Sequence, residues 1–446
     1  MPPKRRVALV PLGCPKNLVD SETMLGALDE AGYEVGVDQH EADVVIVNTC
    51  AFIDAAQEEA VEALLDLAEL KAHGRCKALI VAGCLSRRFG EELFDELPEI
   101  DGIIGPGDLA QIADVVQRAL AGRRPVEIDG RGEDEAQLPR WAPGPTASRY
   151  VKLAEGCDHS CAFCTIPELR GPYRSRPPDQ IVQECRAIAE AGVKEIVLVA
   201  QDTSAYGLDL QPQESLSRLL HSLRSLPLEG WIRVMYLHPD RVDEQLIETI
   251  GEHMQVVNYF DIPFQHAAAR VLQAMHRTGN ADDYLALVTR IRRSIPDAAV
   301  RTTFLLGYPG ETEDDFERLL DFIAEARFDR AACFAFSAQA GTVAAALPDP
   351  VPPEVAAERV DRFMEAQEAL SLERNRHFEG QRLHVLLEYQ DDRSSEWVGR
   401  SYRDAPEVDG QVILAPGATN QTVEPGQFVW AVIEEALVHD LRGRIA

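Results

Sequence analysis

Short apolar runs alternate with helix-period stretches through the first 135 residues, and that alternation leaves few folds open. The runs are VALVPL, DVVIVN, KALIVA and DGIIG. Between them lie LVDSETMLGALDEAG, AAQEEAVEALLDLAELKAHG and RRFGEELFDEL. Strand and helix taking turns means βα units, a parallel sheet and helices on both of its faces. A parallel sheet gathers the carboxyl ends of its strands on one edge, where such folds bind ligands. A cysteine follows each of the first three runs: Cys14 in PLGC, Cys50 in VNTC and Cys84 in VAGC. The pattern brings three thiols, far apart in sequence, to one edge. They read as three ligands of an iron–sulfur cluster, against the alternative of three buried apolar thiols. Cys76 precedes its strand, Cys185 falls in a helical stretch and Cys333 in an apolar strand; these three are assigned to structure. Asp20, Ser21 and Glu22 are expected to start a helix as cap and first-turn charge. Lys16 and Asn17 stand beside Cys14 and are candidates for a hydrogen bond to cluster or substrate.

A second cysteine set lies on one loop, Glu155 to Arg176, which reads EGCDHSCAFCTIPELRGPYRSR. Cys157, Cys161 and Cys164 have C-x-x-x-C-x-x-C spacing. Three thiolates on one tight loop can hold three corners of a cubane cluster. The fourth iron then has no protein ligand from the loop and can bind a substrate or cofactor. A predicted strand, Tyr150 to Ala154, feeds the loop, which places it where α/β folds keep their chemistry. The alternatives are zinc and plain buried thiols. Zinc normally takes a second Cys/His pair downstream, and none stands at suitable spacing.

The loop resembles that of radical S-adenosylmethionine enzymes. Glu155-Gly156 before it and Pro167, Arg170 and Gly171 after it resemble the methylthiotransferase branch of that family. The resemblance implies two 4Fe-4S clusters. The radical cluster, on Cys157, Cys161 and Cys164, would chelate S-adenosylmethionine and cleave it to a 5′-deoxyadenosyl radical with one electron. That radical would remove a hydrogen from an unactivated carbon. The auxiliary cluster, on Cys14, Cys50 and Cys84, would deliver sulfur, and a second S-adenosylmethionine the methyl group. LGCPKNLVDSE around Cys14 and DIPFQHA around Gln265 are similar to the protein-modifying members, whose substrate is an aspartate β-carbon in the twelfth small-subunit ribosomal protein. The tRNA-modifying members read Gly-Cys-Gln-Met-Asn and Leu-Pro-Val-Gln-Ser-Gly at those places. A tRNA adenosine methylthiotransferase is the second reading. The third, from another class, is a non-catalytic iron–sulfur electron carrier or ribosome-binding module, which would need neither an open iron nor a chamber around it.

The rest of the chain completes an α/β architecture of three expected domains, at residues 1–135, 143–378 and 379–446. Residues 133–148, EDEAQLPRWAPGPTAS, carry three prolines and no periodicity, a boundary pattern. Six βα units then follow, with predicted strands RYVKLAE, KEIVLVAQ, WIRVMYL, VVNYFDIP, AAVRTTFLLG and AACFAFS, and predicted helices such as Pro178 to Glu190 and Asp314 to Ala326. Six units are too few for a closed eight-stranded barrel; the resemblance implies an open (βα)6 partial barrel. Its strand ends carry Gln201, Asp202, His238, Gln265, His266, Gly307, Gly310 and Glu311. The resemblance implies cofactor contacts along this rim, assigned to Gln201, Asp202 and Gln265, with Phe163 on the cysteine loop. Turn and cap roles compete at each, above all at Gly310-Glu311-Thr312. The two histidines are not read as metal ligands. No P-loop, G-x-S-x-G elbow or H-E-x-x-H helix is present, so hydrolase and nucleoside-triphosphatase readings have no support.

After LPDPVPP a long helix is predicted from Glu354 to about Phe378. RLHVLLEY, EWVGRSYR, GQVILA and QFVWAVIEEALVHDLRGRI then suggest a small all-β, OB-like barrel that resembles the TRAM domain. Residues 381–446 hold six Arg and no Lys against eleven Asp or Glu. The whole chain, 446 residues with 46% hydrophobic content, has a formal charge of −30. Phosphate backbones are held by Lys and Arg, so tRNA is an unfavoured partner and a basic protein a favoured one. Glu388, Asp391, Asp392 and Glu396 are expected to help dock it, on or near the ribosome. An external one-electron reductant is implied. No apolar run reaches membrane-spanning length, and Pro11 and Gly13 interrupt the first one, so it reads as a strand and not a signal peptide. A cytoplasmic location and no membrane partner are expected, which makes nine cysteines a sign of metal and not of disulfides.

Overall fold

The structure, a computed structural model, describes residues 4–130, 132, 138–141, 146–415 and 423–446. Residues 133–137 and 142–145 of the expected linker lie outside them. Two compact units are present. The first comprises Met1–Gly144, Ala154–Ser160 and Cys164–Arg176; the second comprises Pro145–Leu153, Cys161–Phe163 and Pro177–Ala446.

The first unit is built on a six-stranded sheet in the order Glu34–Val35, Arg6–Pro11, Val44–Thr49, Ala78–Gly83, Gly102–Ile104, Val126–Glu127. Every pairing is parallel. Val44–Thr49 and Ala78–Gly83 are buried at all positions, as strands covered on both faces must be. Alternate side chains enter two cores. Val45, Val47, Leu79 and Val81 pack with Leu64 and Leu67 on one face; Val44, Ile46 and Ile80 pack with Met24, Leu28, Ile112 and Val116 on the other. The chain leaves Arg6–Pro11 toward one side and returns on the other, so the direction of winding reverses between Arg6–Pro11 and Val44–Thr49. Cys14 and Cys50 emerge at that switch point.

Three expectations for this unit are corrected. RRFGEELFDEL is not one helix: Gly90, at φ +52°, separates Cys84–Phe89 from Glu92–Glu96. Helix Ile112–Leu120 and the two-residue edge strands were not foreseen. The first helix runs Pro15–Glu30 with Cys14 at its N-cap, so Asp20, Ser21 and Glu22 lie inside it and cap nothing. Pro15 starts it because proline lacks the N–H that a first helical turn cannot use.

The second unit carries two three-stranded parallel sheets. One pairs Ser148–Lys152, Glu195–Val199 and Trp231–Val234; the other pairs Tyr259–Asp261, Ala299–Leu306 and Arg330–Ala335. A parallel bridge, Ile232 to Val256, continues the order from the third strand toward the fourth. The six strands thus follow chain order, and among the described residues the first and last are not paired, which leaves the arc open. Helices such as Pro178–Glu190, Leu216–Leu223, Ala281–Ser294 and Glu313–Ala326 cover its outer face over one continuous apolar core. A closed five-stranded barrel ends the chain: Arg382–Gln390, Trp397–Arg400, Val412–Ala415, Leu441–Ile445 and Phe428–Ala436. QFVWAVIEEALVHDLRGRI forms two of these strands, because a turn at Leu437–Asp440 splits it.

Buried charges tie barrel to arc. Ile196 and Leu198 point to the outer core, so Glu195 points the other way, where it is fully buried. It accepts from Arg233 Nε at 2.7 Å, Arg400 Nη2 at 2.6 Å and the Ser148 hydroxyl at 2.7 Å. Burial alone would push its carboxyl up; the two guanidiniums overcome that and hold it at about 2. Asp329 repeats the device. Arg403 and Arg374 lie at 3.2 and 2.8 Å, and against its burial hold it at about 2. Glu388, expected at a docking surface, instead accepts from Arg400 Nε at 2.8 Å. Asp391 folds its own turn by accepting from the Arg393 and Ser394 N–H groups.

Candidate functional site

Cys50 directly follows the strand Val44–Thr49, Cys84 directly follows Ala78–Gly83 and opens a helix, and Cys14 caps the helix after Arg6–Pro11. All three are therefore at one sheet edge, close enough for the Cys14 charge to act on Cys50 and both to act on Cys84. Gly13 lies at φ +87°, and a Cβ there would stand 2.7 Å from Cys50 Cβ, so the loop closes this tightly only with glycine. Burial pushes the Cys50 thiol up and takes Cys84 to about 11. Burial pushes Cys14 up too, but Lys16, Arg170 and the backbone N–H groups of Asn17 and Lys16 bring it below its ordinary value. No group of three or more His, Cys, Asp or Glu among the described residues could hold one metal ion. A four-iron cluster spreads its thiolates over the corners of a cube, and three soft ligands from three strand ends fit that group.

Beside these thiols lies a polar knot inside an apolar unit. Asn17 is fully buried. Its Nδ2 donates to the Leu12 carbonyl at 3.0 Å and the Thr49 carbonyl at 2.9 Å, the backbone that leads into Cys14 and Cys50. Its Oδ1 accepts from Arg170 Nη2 at 2.5 Å. Asn17 is thus a brace for the cysteine loops. Arg170 also reaches Asp20 at 3.0 Å and Glu155 at 2.8 Å, with its side chain 1% exposed. Asp20 is one end of this buried pair, and Ser21 accepts from Asn48.

The two units share the loop of the second cysteine set. In the first, Ala154–Glu155 pairs antiparallel with Arg174–Ser175 and closes the loop's base. Gly156, at φ +73°, meets Pro172 so closely that a Cβ would lie 2.1 Å from its carbonyl oxygen. Cys157 N–H donates to Gly171 at 3.1 Å, and the Ile166 N–H points at Cys164 Sγ at 3.4 Å. In the second unit, Ala162 is fixed by its N–H to the Met275 carbonyl and its carbonyl to the Ala344 N–H. Phe163 packs on the cluster of Val271, Met275 and Tyr308. Arg277 Nη1 lies 3.8 Å from Cys161 Sγ, a neighbour not foreseen from sequence. An N–H beside a thiolate stabilises its charge, so this loop too fits a cluster.

Around the strand ends of the second unit, Asp202 pairs with Arg241 at 3.2 Å and accepts from the Ser204 hydroxyl. Gln201 is half-buried, two residues past its strand. Gln265 holds φ +71° and is braced on both sides by Thr303 and Leu305 of the next strand. Tyr236, past the third strand, holds φ +63°. Such backbone costs about 1–3 kcal/mol per residue and collects at working sites. Other rim residues are structural. His238 caps a turn through Asp240, and His266 is buried, with Nδ1 accepting from Ala268 and Nε2 3.5 Å from Glu311. Glu311 accepts from Gly307, Tyr308 and Arg359, while Thr312 and Asp315 form a capping box. Cys76, Cys185 and Cys333 are buried in apolar cores. Replacing Cys185 by Ala should leave the iron content of anaerobically reconstituted protein unchanged; a drop would make it a ligand.

Sequence comparisons match Arg6–Gly105 to the Uncharacterized protein family UPF0004, residues 151–323 to the Radical SAM superfamily and residues 380–446 to the TRAM domain. The chain is similar to the ribosomal protein uS12 methylthiotransferase RimO of Pelotomaculum thermopropionicum, 44% identical over 98% of each chain. The RimO of Geobacter sulfurreducens is 42% identical over 99% of each. In fold it is similar to the radical S-adenosylmethionine methyltransferase TsrM from Kitasatospora setae, with a TM-score of 0.53, 16% identity and coverage of 74% of this chain and 75% of that one.

Proposed function

The chain belongs to the ribosomal protein uS12 methylthiotransferase family, and from that premise we propose that it inserts a methylthio group at the β-carbon of an aspartate of uS12. The observation that carries this is identity of 42–44% over nearly the full length. When bound, two 4Fe-4S clusters and S-adenosylmethionine supply the electron, the radical, the sulfur and the methyl group.

The chain's own residues hold, orient and exclude. Cys157, Cys161 and Cys164 would hold the radical cluster, with the Ile166 N–H at Cys164 and Arg277 at Cys161 stabilising thiolate charge. Cys14, Cys50 and Cys84 would hold the auxiliary cluster, their loops braced by Asn17. Gln201, Asp202 and Gln265 on the rim, with Phe163, would contact S-adenosylmethionine; the strained turn at Gln265 favours a working role there. Apolar packing around Phe163, Met275 and Tyr308 keeps water from a reactive carbon radical. No side chain is required as nucleophile. The reading includes an external one-electron reductant, a substrate met on or near the ribosome, and functional divisions at residues 1–135, 143–378 and 379–446. No helix among the described residues is long and apolar enough to cross a membrane.

The formal charge of −30 favours a basic protein over a polyanion. Anaerobic turnover with purified uS12 and with unmodified tRNA, side by side, tests the choice. A methylthio mass gain on the uS12 aspartate is expected; a gain on tRNA adenosine with none on uS12 overturns the reading. A charge-reversal test of barrel docking belongs on Asp392 and Glu396, since Glu388 and Asp391 hold the fold.

A further inference from the structure

Arg170 lies in the loop of one cysteine set, yet its buried guanidinium works among the residues of the other. Its Nη2 lies 2.5 Å from Asn17 Oδ1, which stands 3.9 Å from Cys14 Sγ. Its charge acts on Cys14, Cys50 and Cys84. On its other side Nη1 meets Glu155, two residues before Cys157, and Asp20 closes the group. A guanidinium with a side chain 1% exposed needs such partners, for an unpaired buried charge costs several kcal/mol. Two carboxylates would already satisfy it. The additional contact to Asn17, which braces the backbone leading into Cys14 and Cys50, places a fixed positive group at the edge where three thiolates would gather.

We propose that Arg170 is a positioning residue that sets the reduction potential of the auxiliary cluster. This rests on the reading of Cys14, Cys50 and Cys84 as its ligands. A cluster on three thiolates gains negative charge when it accepts an electron. A neighbouring cation stabilises the reduced form and raises the potential. Glu155 and Asp20 oppose that field, so the potential reports the balance of one guanidinium against two carboxylates. Because Glu155 is also the residue before Gly156 and Cys157, the same guanidinium makes the charge at the auxiliary site sensitive to the base of the radical loop.

The test uses the full chain with Cys157, Cys161 and Cys164 all replaced by Ala, so that the auxiliary cluster alone is present. After anaerobic reconstitution, iron is counted and the midpoint potential read by redox titration followed by paramagnetic resonance. Arg170→Met should shift the potential down and Arg170→Lys should restore part of it. Glu155→Gln should shift it up, because a counter-charge is lost. Opposite signs at Arg170 and Glu155 are what a merely structural role does not give. If Arg170→Met binds no iron, Arg170→Lys and Glu155→Gln decide on sign alone. Potentials equal to the parent's in iron-loaded variants, or a downward shift in Glu155→Gln, overturn the proposal. Iron kept at the parent's full content of about eight per chain after Cys14, Cys50 and Cys84 are replaced by Ala in the otherwise unaltered chain would instead overturn the ligand reading beneath it.

Discussion

With Cys157, Cys161 and Cys164 all replaced by Ala, the protein should keep about half of its iron and lose methylthio transfer altogether. Two four-iron clusters give about eight irons per chain, and the variant should hold about four. Transfer should fall below detection, since no other group here can generate a radical from S-adenosylmethionine. The fold should survive: Cys161 and Cys164 are only half-buried, and the loop's base is closed by backbone pairing of Ala154–Glu155 with Arg174–Ser175. Iron and sulfide analysis beside far-ultraviolet circular dichroism separates the two effects. Full iron in this variant, or zinc in the parent, would refute the assignment.

Glu195→Ala should give the largest loss of stability. The substitution strands Arg233 and Arg400, both buried, without the carboxylate that lies 2.7 and 2.6 Å from them. Breaking such a group by removing one partner costs about 3–5 kcal/mol. That corresponds to a fall in melting temperature on the order of 10 °C for a body of this size. pH carries the same signature. Glu195 and Asp329 are both held at about 2, below their ordinary values of 4.5 and 3.8. Their contribution is complete above those values and fades as pH drops toward 2, because the unfolded chain takes up the protons first. The gap in stability between the parent and Glu195→Ala should therefore be full at pH 7 and narrow below about pH 4.5. Thermal melts at pH 7 and pH 3 check this. Equal melting temperatures at pH 7 would mean that the remaining partners, Glu388 for Arg400 and the Tyr402 carbonyl for Arg233, suffice without Glu195.

Periodicity carried most of this fold. The strand runs around Val45, Ile80, Val197 and Phe304 were legible because apolar β-rich segments bounded by helix patterns have one reading. Cys14, Cys50 and Cys84 were legible as a set because they occupy equivalent places after their strands. What stayed hidden depends on partners distant in sequence. Asp20 looked like first-turn charge, since nothing near it in sequence announces a guanidinium 150 residues away. Glu388 looked like a docking carboxylate, since its partner Arg400 lies on the next strand of the barrel. Glu34–Val35 has no period to read at two residues. The left-handed backbone at Tyr236 and Gln265 is imposed by neighbouring strands, and no residue type advertises it. Arg170 in TIPELRGPY left no such trace either, because Glu168 stands two residues before it and offers a nearer carboxylate in sequence than Asp20.

Because Ala154–Ser160 and Cys164–Arg176 are part of the first unit, that unit is not continuous along the chain. A fragment cut at the proline-rich stretch would carry Asp20 and Asn17 with their side chains still facing inward and no Arg170 to meet them. The first unit is thus finished only after translation has passed residue 176, when the ribosome has already made the first strand of the second unit.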